Sequence, residues 1–507
     1  MRTDVKARHA QTPLPYPSYV RVLFVSSEVA PFAKTGGLGD VCGALPKHLR
    51  ALGHDVRVFV PLYAKAREKA KPLSWVFPEL SVELGPRRIR FGIATARFPG
   101  TAGFPDPGPC YFVVCPELFD RPSIYTTDGD EHLRFCLLSW AALKTCQAWG
   151  WPPEIVHGHD WQTALMPMIV KFALGWDRLF ANTKSVFTIH NIGYQGSFGS
   201  HVLPDTGLAE ISQHFHQELL RDGKLNFMLH AVLYADAITT VSPTYAREIM
   251  TPEHGVGMDP FLRGRGPGVV GILNGIDESE WSPERDTLIP HRYERGDWQG
   301  KEVNKRALLQ HVGLPYHPRA PVIGIVSRLA WQKGYDLCEP VLPGVLGRHD
   351  AQLVVLGTGE SRYEHFFARL QHQYGNKVRF VRAFSEPMAH LIEAGSDMFL
   401  MPSRYEPCGL NQMYSLRYGT VPIVHKTGGL ADTVHLYRGR GSDGNGVSFD
   451  HFDARGLRWA IEYALELWGS GAGADRERFR EIQDNGMRAE NGWPKQAQKY
   501  VDVYRAL

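Results

Sequence analysis

The sequence predicts an α/β protein in which two doubly wound domains face a shared cleft. Short β-branched runs alternate with longer amphipathic stretches along the 507 residues, and this alternation is typical of βαβ units and parallel sheets. The pattern begins near residue 20 and begins afresh near residue 320, so the chain contains two α/β halves of comparable length. Ligands of such sheets bind beyond the carboxyl ends of the strands, and we therefore expect the chemistry in the cleft.

The domain limits follow from the same pattern. The strand candidates of the first half are residues 20–25, 56–60, 155–157, 185–190 and 237–241, and those of the second half are 322–326, 352–357, 378–381, 397–401 and 421–424. A Gly/Arg/Pro-rich stretch at residues 263–268 suits an exposed linker. We therefore expect a disordered extension at 1–19, a first domain at 20–266 and a second domain at 267–492.

The charge balance and the cysteine usage argue against several classes of protein. Lys plus Arg is 56 and Asp plus Glu is 53, so the net charge of +3 gives little support for binding nucleic acid or an anionic membrane. No run of the sequence approaches the roughly 20 apolar residues of a membrane helix. Seven scattered cysteines fit a reducing cytoplasm and show no paired metal spacing. Residues 1–19 lack the hydrophobic stretch of a secretory signal; a short transit peptide is the alternative, and Asp4 counts against it.

One pentapeptide, Lys-Thr-Gly-Gly-Leu, occurs once in each half. The first loop is residues 34–38 and the second loop is residues 426–430, and an aspartate follows each copy, Asp40 and Asp432. Each copy comes after a predicted strand and before a predicted helix. A glycine pair there lets the backbone approach a ligand closely, and the free amides of a helix start favour an anion. We interpret both loops as phosphate- or sugar-binding; an ordinary Gly-Gly turn is the alternative.

Two cations and a carboxylate follow strands of the second half. Arg328 and Lys333 come directly after the strand at 322–326, where they can converge on a diphosphate, although a solvated basic loop fits the pattern equally well. Glu406 lies at a strand-to-helix turn, where a glutamate is either a functional carboxylate or a helix cap. Phe384 precedes the helix predicted before the strand at 397–401, and its ring can either stack on a base or join the core.

The first half carries a cluster of histidines and an acid at two strand ends. His157, His159 and Asp160 are close in sequence, and His190 ends the next predicted strand. Two histidines with no second cluster nearby are weak grounds for a metal site, and we expect none. Asp160 is better suited to accept hydrogen bonds from sugar hydroxyls. His190 is either a structural residue or a donor to a substrate hydroxyl.

Taken together, these segments resemble the bacterial glycogen synthases and the plant starch synthases, which are retaining glucosyltransferases that use a nucleotide glucose. The resemblance extends from about Val20 to the C-terminus, with its segments in order and suitably spaced. It is carried by the first loop with Gly39-Asp40-Val41, His159-Asp160-Trp161-Gln162, His190-Asn191, Asn274-Gly275-Ile276-Asp277, Ser327-Arg328-Leu329 with Gln332-Lys333-Gly334, Glu406-Pro407-Cys408-Gly409-Leu410, and Thr427-Gly428-Gly429-Leu430-Ala431-Asp432-Thr433-Val434.

The resemblance implies two Rossmann-like domains of the GT-B type. The first would be the acceptor-side domain, with a helix at 493–507 crossing back onto it, and the second would bind the nucleotide sugar. The implied reaction transfers glucose from ADP-glucose to the non-reducing end of an α-1,4-glucan with retention, by a front-face displacement. The residues leave ADP-glucose and UDP-glucose open, and the bacterial branch of the family favours ADP. The implied partners are the donor and a glycogen or malto-oligosaccharide acceptor, without a cofactor, metal, nucleic acid or membrane.

The site residues are carried over by the same resemblance. The catalytic positions would be Lys34, Asp160, His190, Arg328, Lys333 and Glu406. The substrate-binding positions would be Lys34, Arg328, Lys333 and Glu406 again, together with Gly36, Gly37, Asp40, Asn274, Phe384, Cys408, Gly409, Leu410, Thr427, Gly428 and Gly429. Phe384 stands where some relatives have a tyrosine, which keeps the stacking surface but removes a hydroxyl.

Other classes of protein are less well supported. A sucrose- or trehalose-type synthase would share the architecture but use a small acceptor, and the paired loops favour the glucan synthases. A nicotinamide oxidoreductase needs a Gly-x-Gly-x-x-Gly turn, which residues 36–39 do not provide. A non-catalytic glucan-binding protein would be expected to lack one of the charged site residues, and all of them are present.

Overall fold

The computed structural model describes residues 19–100, 106–266, 268–469 and 476–507. Nearly all of the expected N-terminal extension lies outside these residues. The strands of the first half are β1 (Arg21–Val25), β2 (Asp55–Pro61), β3 (Ser74–Leu84), β4 (Arg87–Arg97), β5 (Pro109–Val114), β6 (Ile155–His159), β7 (Lys184–Ile189), β8 (Ser197–Gly199), β9 (Lys224–Asn226), β10 (Ala237–Thr240) and β11 (Val269–Gly271). Its helices are α1 (Gly37–Ala51), α2 (Ala64–Lys69), α3 (Pro116–Phe119), α4 (Glu131–Trp149), α5 (Met166–Met168), α6 (Gln217–Arg221), α7 (Phe227–Tyr234), α8 (Pro243–Glu248) and α9 (Asp259–Arg263).

The second half has its own strands and helices. The strands are β12 (Val322–Val326), β13 (Gln352–Leu356), β14 (Val378–Val381), β15 (Met398–Met401), β16 (Val421–His425) and β17 (Val447–Phe449). The helices are α10 (Trp298–Val312), α11 (Tyr335–Arg348), α12 (Ser361–Gln373), α13 (Glu386–Gly395), α14 (Asn411–Arg417), α15 (Gly428–Thr433), α16 (Ala454–Trp468), α17 (Glu477–Arg488) and α18 (Trp493–Arg505).

Both main sheets are wound in the same order. The second sheet runs β14-β13-β12-β15-β16-β17 with every pair parallel, and the first contains β5-β2-β1-β6-β7-β10 in the corresponding order. In each case the chain starts in the middle, moves to one edge and then returns to fill the other. This is the winding of the Rossmann fold, so the predicted fold class is confirmed. The points where the winding reverses lie between β1 and β6 and between β12 and β15.

The first sheet extends beyond the predicted Rossmann pattern at both edges. The antiparallel strands β3 and β4 continue it past β5, and β11 pairs with β10 at the opposite edge. The domain boundary expected after residue 266 therefore falls before a strand of the first sheet. The Gly/Arg/Pro-rich stretch at 263–268 lies between α9 and β11 and does not connect the two sheets. Arg265 of this stretch donates to the carbonyl oxygens of Val232 and Ala235, which ties it to the end of α7.

The C-terminal helix α18 packs on the first domain. Trp493, Tyr500 and Tyr504 are buried in the core that contains β1 and α1, because one face of this helix is apolar. The hydroxyl of Tyr504 lies 2.7 Å from Nδ1 of His157 on β6.

In the part of the chain that the structure describes, no helix combines the length and the apolar character that a membrane span requires.

Candidate active site

The cleft between the two domains contains a cavity of about 1640 Å³. Loops that follow β1, β6, β12 and β15 reach it, and these are the strands beside the two reversal points, where α/β sheets bind ligands. Its lining includes most of the predicted site residues, namely Lys34, Gly36, Gly37, Asp40, Asp160, His190, Asn274, Arg328, Lys333, Phe384, Glu406, Cys408, Gly409 and Leu410. Of the predicted residues, Thr427, Gly428 and Gly429 do not line it.

The first loop presents an open surface to the cavity. The carboxylate of Glu28 accepts hydrogen bonds from the Thr35 hydroxyl and from the amides of Thr35 and Gly36, at 2.6, 2.5 and 3.2 Å. The Gly36 amide is therefore occupied, whereas the Gly37 amide at the start of α1 has no acceptor among the described residues. Space around both glycines is free: a Cβ added at Gly36 would meet nothing within 4 Å, and one at Gly37 would meet only a leucine methyl at 3.7 Å.

Lys34 is paired within its own loop region. Its Nζ lies 2.6 Å from Oδ1 of Asp40, and both side chains remain about one third exposed, at 32% and 27%. Burial disfavours the ammonium charge, but the Asp40 carboxylate outweighs this effect and raises the pKa of Lys34 above its ordinary value. Lys34 therefore enters the cavity as a charged group whose position is fixed by Asp40.

The cations of the second domain are not equivalent. Nζ of Lys333 lies 2.6 Å from Oε2 of Glu406, which also accepts a hydrogen bond from the Ser403 hydroxyl at 2.9 Å. Arg328 is exposed in the cleft and makes no ion pair with any described residue. Among the described residues Lys333 is therefore paired with a carboxylate, whereas the guanidinium of Arg328 is not. That both cations bind a diphosphate stays a prediction.

Asp160 directly follows β6 and has an unusual backbone conformation. Its φ of 54° and ψ of −178° fall in a region that only glycine normally occupies, a strain of about 1–3 kcal/mol that clusters at functional sites. Oδ1 accepts hydrogen bonds from the amides of His190 and Asn191, at 2.7 and 3.3 Å. Burial raises the pKa of Asp160 to about 7, against the opposing effect of these two amides.

The remaining predicted residues surround the same cavity. Phe384 is 86% exposed at the start of α13, so it is a free ring rather than a core residue. Asn274 is buried, and its Oδ1 has no partner among the described residues. Burial raises the pKa of the Cys408 thiol to about 12, while hydrogen bonds from Asn274 oppose the rise. Leu410 lines the cavity opposite the first loop, and its methyl would lie 3.7 Å from a Cβ added at Gly37.

The second loop contacts protein where we expected a ligand. The Thr427 hydroxyl and the Gly428 amide both donate to Oε1 of Glu248, at 3.0 and 2.9 Å, and Glu248 belongs to α8 of the first domain. Asp432 accepts hydrogen bonds from the amide and the hydroxyl of Thr244, also on α8, at 2.9 and 2.7 Å. The loop therefore joins the two domains.

The glycines of the second loop permit close packing. A Cβ at Gly428, whose φ is 43°, would lie 1.9 Å from the carbonyl oxygen of Glu406, and one at Gly429 would lie 2.1 Å from that of Cys408. The Gly429 amide donates to the carbonyl oxygens of Glu406 and Pro407, at 3.1 and 3.2 Å. The expectation that Gly428 and Gly429 offer free amides to the donor is therefore wrong: these amides are occupied, and the glycines support the segment that carries Glu406.

Sequence reasoning missed the acidic residues that hold the two loops. Glu28 and Glu248 precede their loops by 6 and by 178 residues, respectively, and neither belongs to a motif of its own. Tyr125 was also missed, and its hydroxyl donates to Oε1 of Glu28 at 2.7 Å. For Glu28, an acidic residue three positions after a strand was an available signal. For Glu248 there was none, because the contact depends on how the domains meet.

The winding of the two sheets and the charged groups between them define a glycosyltransferase of the GT-B type. Residues 21–264 match the family of starch synthase catalytic domains, and residues 313–485 match the glycosyl transferases of group 1. The catalytic domain of starch synthase IV from Arabidopsis thaliana, solved with ADP and acarbose, superposes with a TM-score of 0.87 at 31% identity, over 96% of this chain and 99% of that one. A sucrose-phosphate synthase from Thermosynechococcus elongatus, at 17% identity and a TM-score of 0.57, shares the fold alone.

The chain belongs to the glycogen and starch synthase family. It is 45% identical to the glycogen synthase of Myxococcus xanthus over 501 residues, which cover 96% of this chain and 99% of that protein. It is 44% identical to the glycogen synthase of Anaeromyxobacter dehalogenans strain 2CP-1 over 494 residues, with the same shares covered. The family predicted from the sequence motifs is thereby confirmed.

Proposed function

We propose that this chain transfers glucose from ADP-glucose to the non-reducing end of an α-1,4-glucan with retention of configuration. One observation carries the proposal: the exposed guanidinium of Arg328 and the Lys333–Glu406 pair line the same cavity as the first loop of the opposite domain. A site of this kind holds an anion on one side and a reacting sugar on the other. Membership of the glycogen and starch synthase family supports the same donor and acceptor.

The diphosphate of the donor engages the cations of the second domain. Arg328 provides a planar fork for its oxygens without first losing a carboxylate partner. Lys333 is shared between the diphosphate and Glu406, so donor binding weakens the hold of Lys333 on that carboxylate. Glu406 then becomes available to the hydroxyls of the transferred glucose, close to the carbon where positive charge develops. The negative charge on the leaving oxygens is stabilised by fixed cations and by the Gly37 amide.

The first domain supplies the groups that contact the sugars. Lys34 adds a cation beside the leaving phosphate, and Asp160 accepts hydrogen bonds from hydroxyls of the acceptor or of the transferred glucose. His190 lines the cavity beside Asp160 and donates to a sugar hydroxyl. The sequence offers no second catalytic acid beside Glu406, so the two-carboxylate scheme of the glycosidases is not supported. The family's front-face displacement, in which the leaving phosphate takes the acceptor proton, fits these groups.

The exposed ring of Phe384 is the candidate surface for the adenine base. It lines the same cavity as Arg328 and Lys333 and belongs to the same domain, so a base stacked on it would leave its diphosphate to these two cations. A purine offers a larger face to the ring than a pyrimidine does. This difference supports ADP-glucose over UDP-glucose, as does the relative solved with ADP.

The reaction is proposed to proceed in a reducing cytoplasm without a metal cofactor. All seven cysteines are free and buried, which fits such a compartment. Cationic side chains and an amide line the proposed diphosphate site, so a metal is not needed to neutralise the diphosphate. Chelation with EDTA should therefore leave turnover within twofold. A reversible loss of activity on chelation would overturn the metal-free proposal.

The direct assay uses the purified chain with glycogen and either ADP-glucose or UDP-glucose. We expect equal molar amounts of ADP and of newly added glucosyl residues, with UDP-glucose at least tenfold slower. Release of ADP without extension of glycogen, or extension of free glucose or fructose alone, would contradict the synthase proposal. As a matched pair, Glu406→Gln should reduce turnover at least 100-fold with donor affinity changed little, whereas Glu462→Gln, which is paired with Arg348 outside the cavity, should retain turnover.

A further inference from the structure

Two buried histidines face each other at the ends of neighbouring strands. Nδ1 of His159, the last residue of β6, lies 3.0 Å from Nε2 of His190, which directly follows β7. His159 is fully buried, while His190 lines the cavity beside Asp160. Burial lowers the pKa of His159 well below its ordinary value and that of His190 to about 3, so both rings are neutral at physiological pH.

A neutral pair of this kind has two possible arrangements of its hydrogens. Each neutral imidazole carries one N–H, and one of the two facing nitrogens must donate to the other. Nε2 of His159 is buried and has no hydrogen-bond partner among the described residues. If His190 donated from Nε2, the hydrogen of His159 would lie on that buried nitrogen, with no acceptor. A buried N–H without an acceptor is costly and rare. The favoured arrangement therefore places the hydrogen of His159 on Nδ1, which donates to His190.

This arrangement determines what His190 offers to the cavity. Because its Nε2 accepts from His159, its single hydrogen lies on Nδ1. His190 then acts as a hydrogen-bond donor to a sugar hydroxyl. In the opposite arrangement it would offer a bare nitrogen and could only accept.

We propose that His159 is a positioning residue that fixes the tautomer of His190, so that Nδ1–H of His190 faces the glucosyl group. The inference rests on the proposed function, because it assigns His190 to the sugar. The side chain of His159 does not itself line the cavity, and the position of the hydrogen on Nδ1 of His190 follows from the hydrogen-bond pattern.

The surroundings of His159 hold its ring in this orientation. The ring packs against Phe24 of β1 and His157 of β6, with centroid distances of 4.3 and 4.2 Å, and these two rings also contact each other at 5.2 Å. His157 is itself held from both ends, by the Thr188 hydroxyl and by the Tyr504 hydroxyl of α18, each at 2.7 Å. The ring of His159 thus has two packed aromatic neighbours, and rotation about its side-chain bonds would displace them.

The test compares three substitutions at or near this pair. His159→Leu removes the donor, and we expect kcat for glucan extension to fall 10- to 100-fold with little change in the Kd for ADP. His159→Asn places an amide N–H near the position of Nδ1 and should recover at least a third of that loss on a logarithmic scale. His230→Leu is the control: His230 is equally buried, hydrogen-bonded to His216 and Asn226, and outside the cavity. It should leave kcat within twofold.

The outcomes separate this inference from the proposed function. If His190→Ala retains wild-type kcat, the proposed role of His190 fails. If His190→Ala is inactive while His159→Leu retains wild-type kcat, only the positioning role fails. Equal losses in His159→Leu and His159→Asn would also overturn it.

A spectroscopic measurement reads the tautomer of His190 in the wild-type chain directly. Ring-¹⁵N-labelled histidine in the wild-type chain gives separate signals for protonated and bare nitrogens, and the His190 signals are those absent from His190→Gln. We expect Nδ1 of His190 to be protonated and Nε2 to be bare. Protonated Nε2 at His190 would overturn the inference.

Discussion

The two Lys-Thr-Gly-Gly-Leu loops share five residues and a strand-loop-helix setting, yet their structural roles differ. In the first loop, residues 34–38, the glycines border open space in the cavity. In the second loop, residues 426–430, the glycines pack against backbone carbonyls, and their amides donate to protein oxygens. Both loops are held by a glutamate, but Glu28 belongs to the same domain as its loop, whereas Glu248 comes from the opposite one.

The difference teaches that a Gly-Gly turn shows only that something comes close to the backbone. It does not show whether the neighbour is a ligand or the protein itself. The helices that follow the two loops, α1 and α15, support the same conclusion. The first amides of α1 include one without a described acceptor, while the first amides of α15 are occupied by Glu248 and by the Glu406–Pro407 carbonyls. One loop contributes to binding, and the other positions Glu406 and connects the domains.

The largest effect is expected from the lysines at the start of each loop. Lys34→Ala removes a cation from the cavity and should lower kcat/KM for ADP-glucose by about 100- to 1000-fold, the usual loss when one group that stabilises a developing charge is removed. Lys426→Ala removes a surface pair with Asp450, whose side chains are 54% and 71% exposed, and should change kcat/KM less than twofold. Steady-state kinetics with glycogen measures both variants. Similar losses in the two variants would contradict the claim that only the first loop contributes to substrate binding.

A second comparison uses the glycines. Gly428→Ala forces a side chain onto a backbone with φ of 43° and into contact with the Glu406 carbonyl, and should lower the free energy of unfolding by about 3 kcal/mol. Gly36→Ala enters open space on an extended backbone and should stay within about 0.5 kcal/mol. Denaturant unfolding followed by fluorescence measures the difference. A stable Gly428→Ala protein with normal turnover would show that the close packing is unimportant.

Much of the difference between the two loops could not be predicted from the sequence, although the fold and the location of the site could. The parallel sheets were predictable because β-branched runs alternate with amphipathic stretches, and most predicted strands lie within one residue of the observed bounds. The site candidates after β1, β6, β12 and β15 were predictable because strand ends meet at the winding reversal. The edge strands β3 and β4 were missed because β3 is largely exposed and β4 begins with exposed arginines such as Arg90 that alternate with the buried Ile89 and Phe91, unlike the wholly apolar run of a buried strand.

The partners of the charged groups were also beyond prediction. Lys333 and Glu406 are 73 residues apart, and their ion pair becomes visible only when β12 and β15 lie side by side. Glu248 meets the second loop only through the packing of α8 on α15. Local sequence specifies a loop and its flexibility, but the acceptor of each amide is decided by long-range packing.

A third test weakens the contact between the domains. Glu248→Ala removes the acceptor of the Thr427 hydroxyl and the Gly428 amide and should lower kcat/KM by about 5- to 30-fold, as expected for about 1–2 kcal/mol of lost hydrogen bonding. Glu248→Gln keeps an acceptor oxygen and should lose less. Small-angle scattering should show a larger radius of gyration for the alanine variant alone. An unchanged radius and rate would mean that this contact does not hold the domains together.

The smallest expected effect is a pH dependence on the first-domain side of the cleft. The pKa of Asp160 is raised to about 7 in the folded chain, so between pH 4 and 7 the folded state binds a proton that the unfolded state has released. Asp160 therefore reduces stability as the pH rises through this range. Asp160→Asn, which keeps the acceptor for the His190 amide, should gain up to about 2 kcal/mol relative to wild type between pH 5 and 7. A pH-independent difference would contradict the raised pKa.

The central claim is that the first loop binds the substrate while the second loop joins the domains. The most direct measurement is a crystal structure of this chain with ADP and a malto-oligosaccharide bound. We predict contacts from Lys34 or the Gly37 amide to the ligand, with the Thr427 hydroxyl and the Gly428 amide still donating to Glu248. A structure in which Glu248 has moved away and the amides of Gly428 or Gly429 donate to the ligand would contradict the account.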